Sequence, residues 1–297
     1  MLITIYRNII PLALRNFIYY AFLGQILYFF RNFNIIAKSK FVFLFQWIFP
    51  KTDENIALAF MGRHGLTSYP YPYMLEYKKR EIIVEFDISV NLLYVIHNNK
   101  RLFFPKSYSK EKVIKDYKSL LIEQDYRAAH RYVESYHELE GKTLFDIGSA
   151  EGIFALDTIE FVKHVYLFEC EESWLAPLEA TFAPWNKKVT LVKKYVSDKT
   201  DEKNITLDDF MKDKICDNLF FKMDIEGAEI AALNGAINIL KRGKNIDLSV
   251  CTYHRINDAE NISKLLSSIG YSYEFTKGLM FWNKRFSKNI IRCKKNQ

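Results

Sequence analysis

From Gly141 onward, short apolar runs alternate with stretches of helical periodicity, and this alternation constrains the fold more than any other feature of the 297-residue chain. Runs at 143–147, 164–169, 189–196, 219–224 and 248–254 read as strands, with helical segments between most of them. Buried apolar strands separated by helices are the pattern of a parallel sheet covered on both faces. After the fourth run, Ala228, Ala231, Ala232, Gly235, Ala236, Ile239 and Leu240 recur at the spacing of one helix face. Residues so small predict a helix seated close on the sheet. Ile262, Leu265, Leu266 and Ile269 repeat the spacing in the next helix, with Asn257 or Asp258 as its cap. Runs at 271–275 and 280–283, separated by a short turn, are expected to pair antiparallel and close the domain.

The N-terminal half reads differently. Residues 53–108 begin irregularly around Pro70 and Pro72, then show strands at 82–86 and 92–96, with Asn98-Asn99 turning the second into 101–104. A helix is expected over 109–138, with Ser109 as N-cap and Glu111 in its first turn, ending in the phrase EQDYRAAHRY. The net charge of +7 is concentrated at the start. Residues 1–52 hold Arg7, Arg15, Arg31, Lys38, Lys40 and Lys51 and no acid, which leaves 7 − 6 = +1 for the rest. A nearly neutral remainder with no basic stripe argues against nucleic acid as partner. The uncharged stretch at 16–30 is shorter than the roughly 20 residues needed to cross a bilayer. A basic, aromatic, acid-free segment suits either contact with an anionic membrane surface or ordinary helices packed on the following domain. The domain boundaries expected are a basic aromatic helical segment at 1–52, an accessory region at 53–140, the α/β domain at 141–285 and a basic tail at 286–297. Cys170, Cys216, Cys251 and Cys293 show no paired or metal-ligand spacing, and Arg7, Pro11 and Arg15 break the first apolar run. The expected location is the cytoplasm, with peripheral attachment to the inner face of the membrane as its variant.

The phrase TLFDIGSAEGIF places Asp146, Gly148, Ser149 and Gly152 at a strand-to-helix junction, where glycines let the backbone approach a ligand closely. A pyrophosphate site needs the GxGxxG form, and a carboxylate before the glycines would repel such a ligand. Asp146 suits a cationic ligand such as S-adenosylmethionine. The second strand ends at Glu169, 23 residues after Asp146, where nucleoside-binding folds clamp the ribose hydroxyls. Adenine would lie by Tyr195, Val196 and Ser197 at the end of the third strand. In FFKMDIEGAE, period-2 geometry sets Lys222 and Asp224 on one side and Phe221 and Met223 on the other. Asp224 is then an available partner for the strand lysine, and stands at the carboxyl edge where open α/β sheets place ligands. Glu226 is expected at the start of the following helix. His254, in CTYH, emerges beside Asp224 if the fourth and fifth strands are neighbours. His254 is either a satisfied half-buried imidazole or part of an acid–base cluster. Glu229 reads as a structural hydrogen-bonding or cap residue.

Taken in order, DIGSAEG, LFE, TLDDF, KMDIEGAE with LNGA, and YH resemble the FkbM family of S-adenosylmethionine-dependent methyltransferases over about half the chain. The resemblance implies a Rossmann-like, seven-stranded class I methyltransferase sheet in which one late strand runs antiparallel. It implies S-adenosylmethionine held by Asp146, Gly148 and Glu169, and O-methylation of a hydroxyl, often on a glycan sugar. Where the family commonly has proline after the second-strand acid, this chain has Cys170. The cofactor set assigned to this edge is Asp146, Gly148, Ser149, Gly152, Glu169, Cys170, Val196 and Ser197. EQDYRAAHRY is similar to a subgroup associated with surface-polysaccharide gene clusters. Glu123, Gln124, Asp125, His130, Arg131 and Tyr132 are either a lid near the cofactor or a solvated helix end.

A sugar hydroxyl is a poor nucleophile at neutral pH, so a general base is expected: His254 or Asp224, with Glu226 orienting the acceptor. Asp224, Glu226 and His254 also make a mixed oxygen and nitrogen set of the kind that binds divalent metals, but the spacing is not diagnostic and no metal site is assigned. The competing readings are a nicotinamide-dependent oxidoreductase, opposed by the missing third glycine and by Asp146, and a non-catalytic membrane-associated binding module, opposed by the intact motifs.

Overall fold

In the computed structural model of the chain, which describes residues 23–295, the alternating runs assemble into one seven-stranded sheet. The chain divides into two compact units. One holds the chain up to Tyr71 together with Phe281–Phe286, and the other holds Pro72–Met280 and the chain from Ser287. The first 22 residues of the basic segment lie outside the described residues.

The first unit is built on α1 (Gly24–Leu44) and α2 (Asp53–His64). The start of α2 is written in its sequence. Thr52 accepts from the amide of Asn55, Asp53 and Glu54 occupy the first turn, and Arg63 and His64 the last, all matched to the helix dipole. Val42 of α1 packs with Leu58 and Met61 of α2 and with Phe281.

The second unit opens with α3 (Met74–Lys79) and a meander of β1 (Glu85–Asp87), β2 (Leu92–His97) and β3 (Lys100–Phe104). Asn98 and Asn99 both take positive φ, 48° and 64°, as a two-residue hairpin turn requires. Helix α4 (Lys110–Glu123) starts where expected, with Ser109 accepting from Lys112, but ends well before residue 138. The reason is that EQDYRAAHRY is pinned to the sheet rather than wound into a helix. Ser249 donates to the carbonyl of Tyr132 at 2.6 Å, Thr276 to that of Ala129 at 2.5 Å, and Arg292 to that of Arg131 at 2.8 Å. Carbonyls engaged in this way are not available to continue an i→i+4 ladder.

The chain then runs through β4 (Thr143–Ile147), α5 (Ile153–Thr158), β5 (His164–Phe168), α6 (Glu172–Phe182), β6 (Val189–Val192), β7 (Tyr195–Val196), β8 (Asn204–Ile205), α7 (Leu207–Phe210) and β9 (Asp217–Met223). It continues with α8 (Glu229–Asn234), α9 (Ile237–Arg242), β10 (Lys244–Cys251), α10 (Asp258–Ser268), β11 (Tyr271–Phe275), β12 (Met280–Trp282), β13 (Arg285–Ser287) and β14 (Ile290–Lys295). The sheet order is β11-β14-β10-β9-β4-β5-β6, and only β14 runs antiparallel to its neighbours. This is the α/β arrangement of class I methyltransferases that the motif order implied.

Four local expectations are corrected. The run at 280–283 does not pair with 271–275. It forms a separate hairpin with β13 through Asn283 and Lys284, both at positive φ. The partner of β11 is β14, so residues 290–295 are a strand of the sheet rather than a basic tail. Arg292, Lys294 and Lys295 disguise a strand whose Ile290, Ile291 and Cys293 are buried. Lys295 turns back to donate to the carbonyls of Leu240, Lys241 and Gly243 at the end of α9. The run at 189–196 divides, since only β6 joins the large sheet while β7 pairs with β8. Finally, the helix expected across 228–240 is broken at Gly235. A side chain there would lie 2.0 Å from the carbonyl oxygen of Ser197, and Asp208 accepts from the amides of Asn238 and Ile239 to cap a second helix.

Candidate active site

Two structures meet at the carboxyl edge of the sheet, the turn after β4 and the ends of β9 and β10. The turn depends on Gly148, whose φ is +75° and whose absent side chain would lie 2.0 Å from the carbonyl oxygen of Asp224. Only glycine allows the β4 turn and the β9 end to approach so closely. Gly152, at φ +77°, begins α5. Ser149 is buried and donates its hydroxyl to the carbonyl of Asp146 at 2.8 Å, which holds the turn's shape. Glu169 closes the other side. Its Oε2 accepts from the Ala150 amide, and its Oε1 from the amides of Cys170 and Glu171, each at 2.8 Å. A carboxylate has about four lone-pair directions, so three amide bonds leave Glu169 able to accept a further donor. Burial pushes the Cys170 thiol up to about 12, so this side chain stays a neutral thiol. Val196 belongs to the core, and the Ser197 hydroxyl donates to Asp198 at 3.2 Å.

Lys222 chooses Asp146 rather than Asp224. Its ammonium lies 2.9 Å from Asp146 Oδ1 and donates to the Gly148 carbonyl at 2.6 Å. Burial alone would lower the Lys222 pKa, but the Asp146 and Asp224 carboxylates hold it above the ordinary lysine value. Asp146 Oδ2 remains buried without a hydrogen-bond donor among the described residues. An orphaned carboxylate oxygen beside the glycine turn fits the amino group of S-adenosylmethionine, and Glu169 fits a ribose hydroxyl.

Because β9 and β10 are parallel neighbours, Asp224 and His254 emerge side by side. His254 Nδ1 lies 2.8 Å from Glu229 Oε1, which also accepts from the Ile225 amide. A carboxylate can only accept, so Nδ1 carries the proton and Nε2 presents its lone pair or a second proton to the site. Nε2 has no hydrogen-bond partner among the described residues. It is flanked by Asp224 Oδ1 at 3.4 Å and Glu226 Oε2 at 3.7 Å. Glu226 does not start a helix as expected. It sits in the preceding turn at φ +54°, exposed, with α8 beginning at Glu229.

Asp224 is the hub of this network. Tyr132 donates to its Oδ2 at 2.8 Å, Tyr253 approaches Oδ1 at 3.4 Å, and His130 Nε2 stands 3.8 Å from Oδ2. His130 is buried, with Nδ1 3.2 Å from Glu123 Oε1. Burial alone would raise the Asp224 pKa, yet His130, Lys222 and His254 outweigh it and hold the carboxyl below its ordinary value. Burial alone would lower His254 and His130, but Glu229 raises the first and Glu123 the second, with Asp224 adding to both. Among the described residues, two side-chain sets offer metal-ligating atoms within 4.8 Å of one another: His130, Asp224 and Cys251, and Asp224, Glu229 and His254. Glu226, weighed in the sequence as a ligand, is in neither.

Of the phrase EQDYRAAHRY, His130 and Tyr132 enter the site, whereas Arg131 donates to the carbonyls of Val133 and Gln124 and Asp125 pairs with Arg127. Sequence reasoning missed Tyr253, for which its adjacency to His254 was the available signal. Glu229 is the hydrogen-bonding residue the sequence suggested, and the structure adds that its partners are His254 and the Ile225 amide.

Residues 176–273, from within α6 to the middle of β11, match the family described as the methyltransferase FkbM domain. The chain carries an FkbM methyltransferase domain. Among solved structures, methyltransferase FkbM from Methylobacillus flagellatus KT is 20% identical, with 61% of this chain and 52% of that chain covered and a TM-score of 0.42. An rRNA methylase from Streptococcus thermophilus is 12% identical, covering 55% and 92%, with a TM-score of 0.39. The precorrin-6y C5,15-methyltransferase from Geobacter metallireducens GS-15 is 13% identical, covering 54% and 85%, with a TM-score of 0.36. The chain thus spans about half the length of the Methylobacillus protein. No curated protein matches the sequence. A domain of this kind implies S-adenosylmethionine as the methyl donor, and the Asp224–Glu229–His254 cluster falls inside the matched segment while the glycine turn precedes it.

Proposed function

We propose that this FkbM domain transfers a methyl group to a hydroxyl oxygen of a sugar in a surface glycan or related metabolite, with His254 as general base. The observation that carries this reading is the His254 Nε2, buried, without a hydrogen bond among the described residues, and backed through Nδ1 by Glu229. S-adenosylmethionine, when bound, supplies an electrophilic methyl group for in-line displacement.

The chain's own residues do the rest. Glu229 fixes the ring so that Nε2 faces the acceptor and favours the imidazolium once Nε2 has taken the hydroxyl proton. Asp224 is the weaker candidate for base, since a carboxyl held below its ordinary pKa has little affinity for a proton at neutral pH. Its place is to stabilise charge on His254 and, with Tyr132, to fix the floor of the site. Glu226, exposed at the rim, is positioned to accept from a second hydroxyl of a polyhydroxyl acceptor. The contact between Gly148 and Asp224 sets the cofactor turn directly against this base.

Mass spectrometry of glycans from cells with and without the protein tests the reading. The expected result is a sugar one methyl group heavier only when the protein is present. An unchanged sugar pool with a methylated protein, nucleic acid or small aromatic would refute the acceptor class.

A further inference from the structure

Within α1 only Ser39 and Val42 are buried, although the helix is 21 residues long and dominated by apolar side chains. Phe30 is 71% exposed and Trp47, in the turn beyond the helix, 77%. Ile26, Phe33, Phe41 and Leu44 are exposed as well. Scattered apolar residues on a surface need no explanation, but a run of this length and aromatic content does. No helix among the described residues is long and apolar enough to cross a membrane, so the face is suited to lying on a surface rather than spanning one.

Charge decides what covers it. Arg31, Lys40 and Lys51 are exposed among these side chains, Lys38 pairs with Glu54 at 2.8 Å, and residues 1–52 contain no acid. A second copy of the same face would set these cations against one another. Anionic headgroups would neutralise them while the aromatic side chains enter the interface and the long basic side chains reach back to the headgroups.

We propose that α1 and the turn through Lys51 dock on an anionic bilayer surface, with Phe30, Phe33 and Trp47 inserted and Arg31, Lys40 and Lys51 on the headgroups. Each basic residue near such a surface contributes about fivefold in affinity, so the three together supply roughly 100-fold.

The test is co-sedimentation of the full chain with vesicles of equal phosphatidylglycerol and phosphatidylcholine, and with phosphatidylcholine alone. Binding to the anionic vesicles, weakened by salt, is expected. The triple variant Arg31→Gln, Lys40→Gln, Lys51→Gln should lose on the order of 100-fold. The triple variant Phe30→Ser, Phe33→Ser, Trp47→Ser should lose binding outright, and circular dichroism melts of both should match the parent because every altered side chain is exposed. Equal sedimentation of parent and both variants would overturn the proposal. So would a parent that ignores vesicles and forms a dimer in the ultracentrifuge which the Phe30, Phe33 and Trp47 variant abolishes, since that places a second copy on the face.

Discussion

The carboxyl edge of the sheet and the surface of α1 break the ordinary burial rule in opposite directions. At the sheet edge, Asp146, Lys222, His130 and Glu229 are buried charged or titratable groups. On α1, phenylalanines and a tryptophan beyond its end stand in solvent. Either departure costs free energy in an isolated domain in water: buried charges lose hydration, and exposed aromatics gain no burial. The buried charges are offset by each other, which makes their geometry rigid. Among the described residues, the exposed aromatics of α1 meet one another, as in the edge contact of Phe29 with Phe33, while their outer faces stay in solvent. The first region is the one proposed for chemistry, and the second the one proposed for attachment.

Substitutions in the two regions should therefore differ sharply in their effect on folding. The largest effect is expected from Lys222→Met, which leaves Asp146 buried without its cation and should cost about 3–5 kcal/mol in urea unfolding. Next comes Gly148→Ala. The positive φ and the close carbonyl of Asp224 together should cost about 2–3 kcal/mol and weaken S-adenosylmethionine binding in calorimetry. Glu229→Gln tests the chemistry more than the fold, and should lower the transfer rate by about 10- to 100-fold, because a neutral amide stabilises the imidazolium less than a carboxylate does.

The pH dependence of that variant has a definite sign. Glu229 raises the His254 pKa, so the parent's activity, which needs the neutral ring, should rise with pH through that raised value. Removing the charge should move the rise to lower pH. Stability runs the other way. A folded-state pKa above the unfolded one contributes stability fully at low pH, and the contribution is lost as pH rises through the folded value. A profile that stays in place in Glu229→Gln would detach Glu229 from the base. The smallest effect is expected at the other region, where Trp47→Ser should change unfolding by less than about 0.5 kcal/mol.

The same contrast explains what could be read from the sequence. The parallel sheet was legible because apolar strand runs and small-residue helical spacing report local burial directly, and the Asp224–His254 pairing followed from strand adjacency alone. What escaped were features set by distant partners. The charged residues of β14 hid a strand that only its neighbours β10 and β11 define. The loop carrying His130 and Tyr132 looked helical because nothing local shows that Ser249, Thr276 and Arg292 would take its carbonyls. The sequence offered Asp224 as the partner of Lys222, and the pairing with Asp146 instead was fixed by the register of β4 against β9, which sets Asp146 directly beside Lys222.

The central claim, that the buried cluster around His254 moves the acceptor proton, is tested most directly by His254→Ala. Its transfer rate would be measured on the glycan fraction that mass spectrometry identifies, alongside calorimetric binding of S-adenosylmethionine. The account predicts that transfer falls by about 10²- to 10⁴-fold while cofactor affinity stays within about threefold of the parent. Transfer at the parent's rate in His254→Ala, with the cofactor bound, would contradict it.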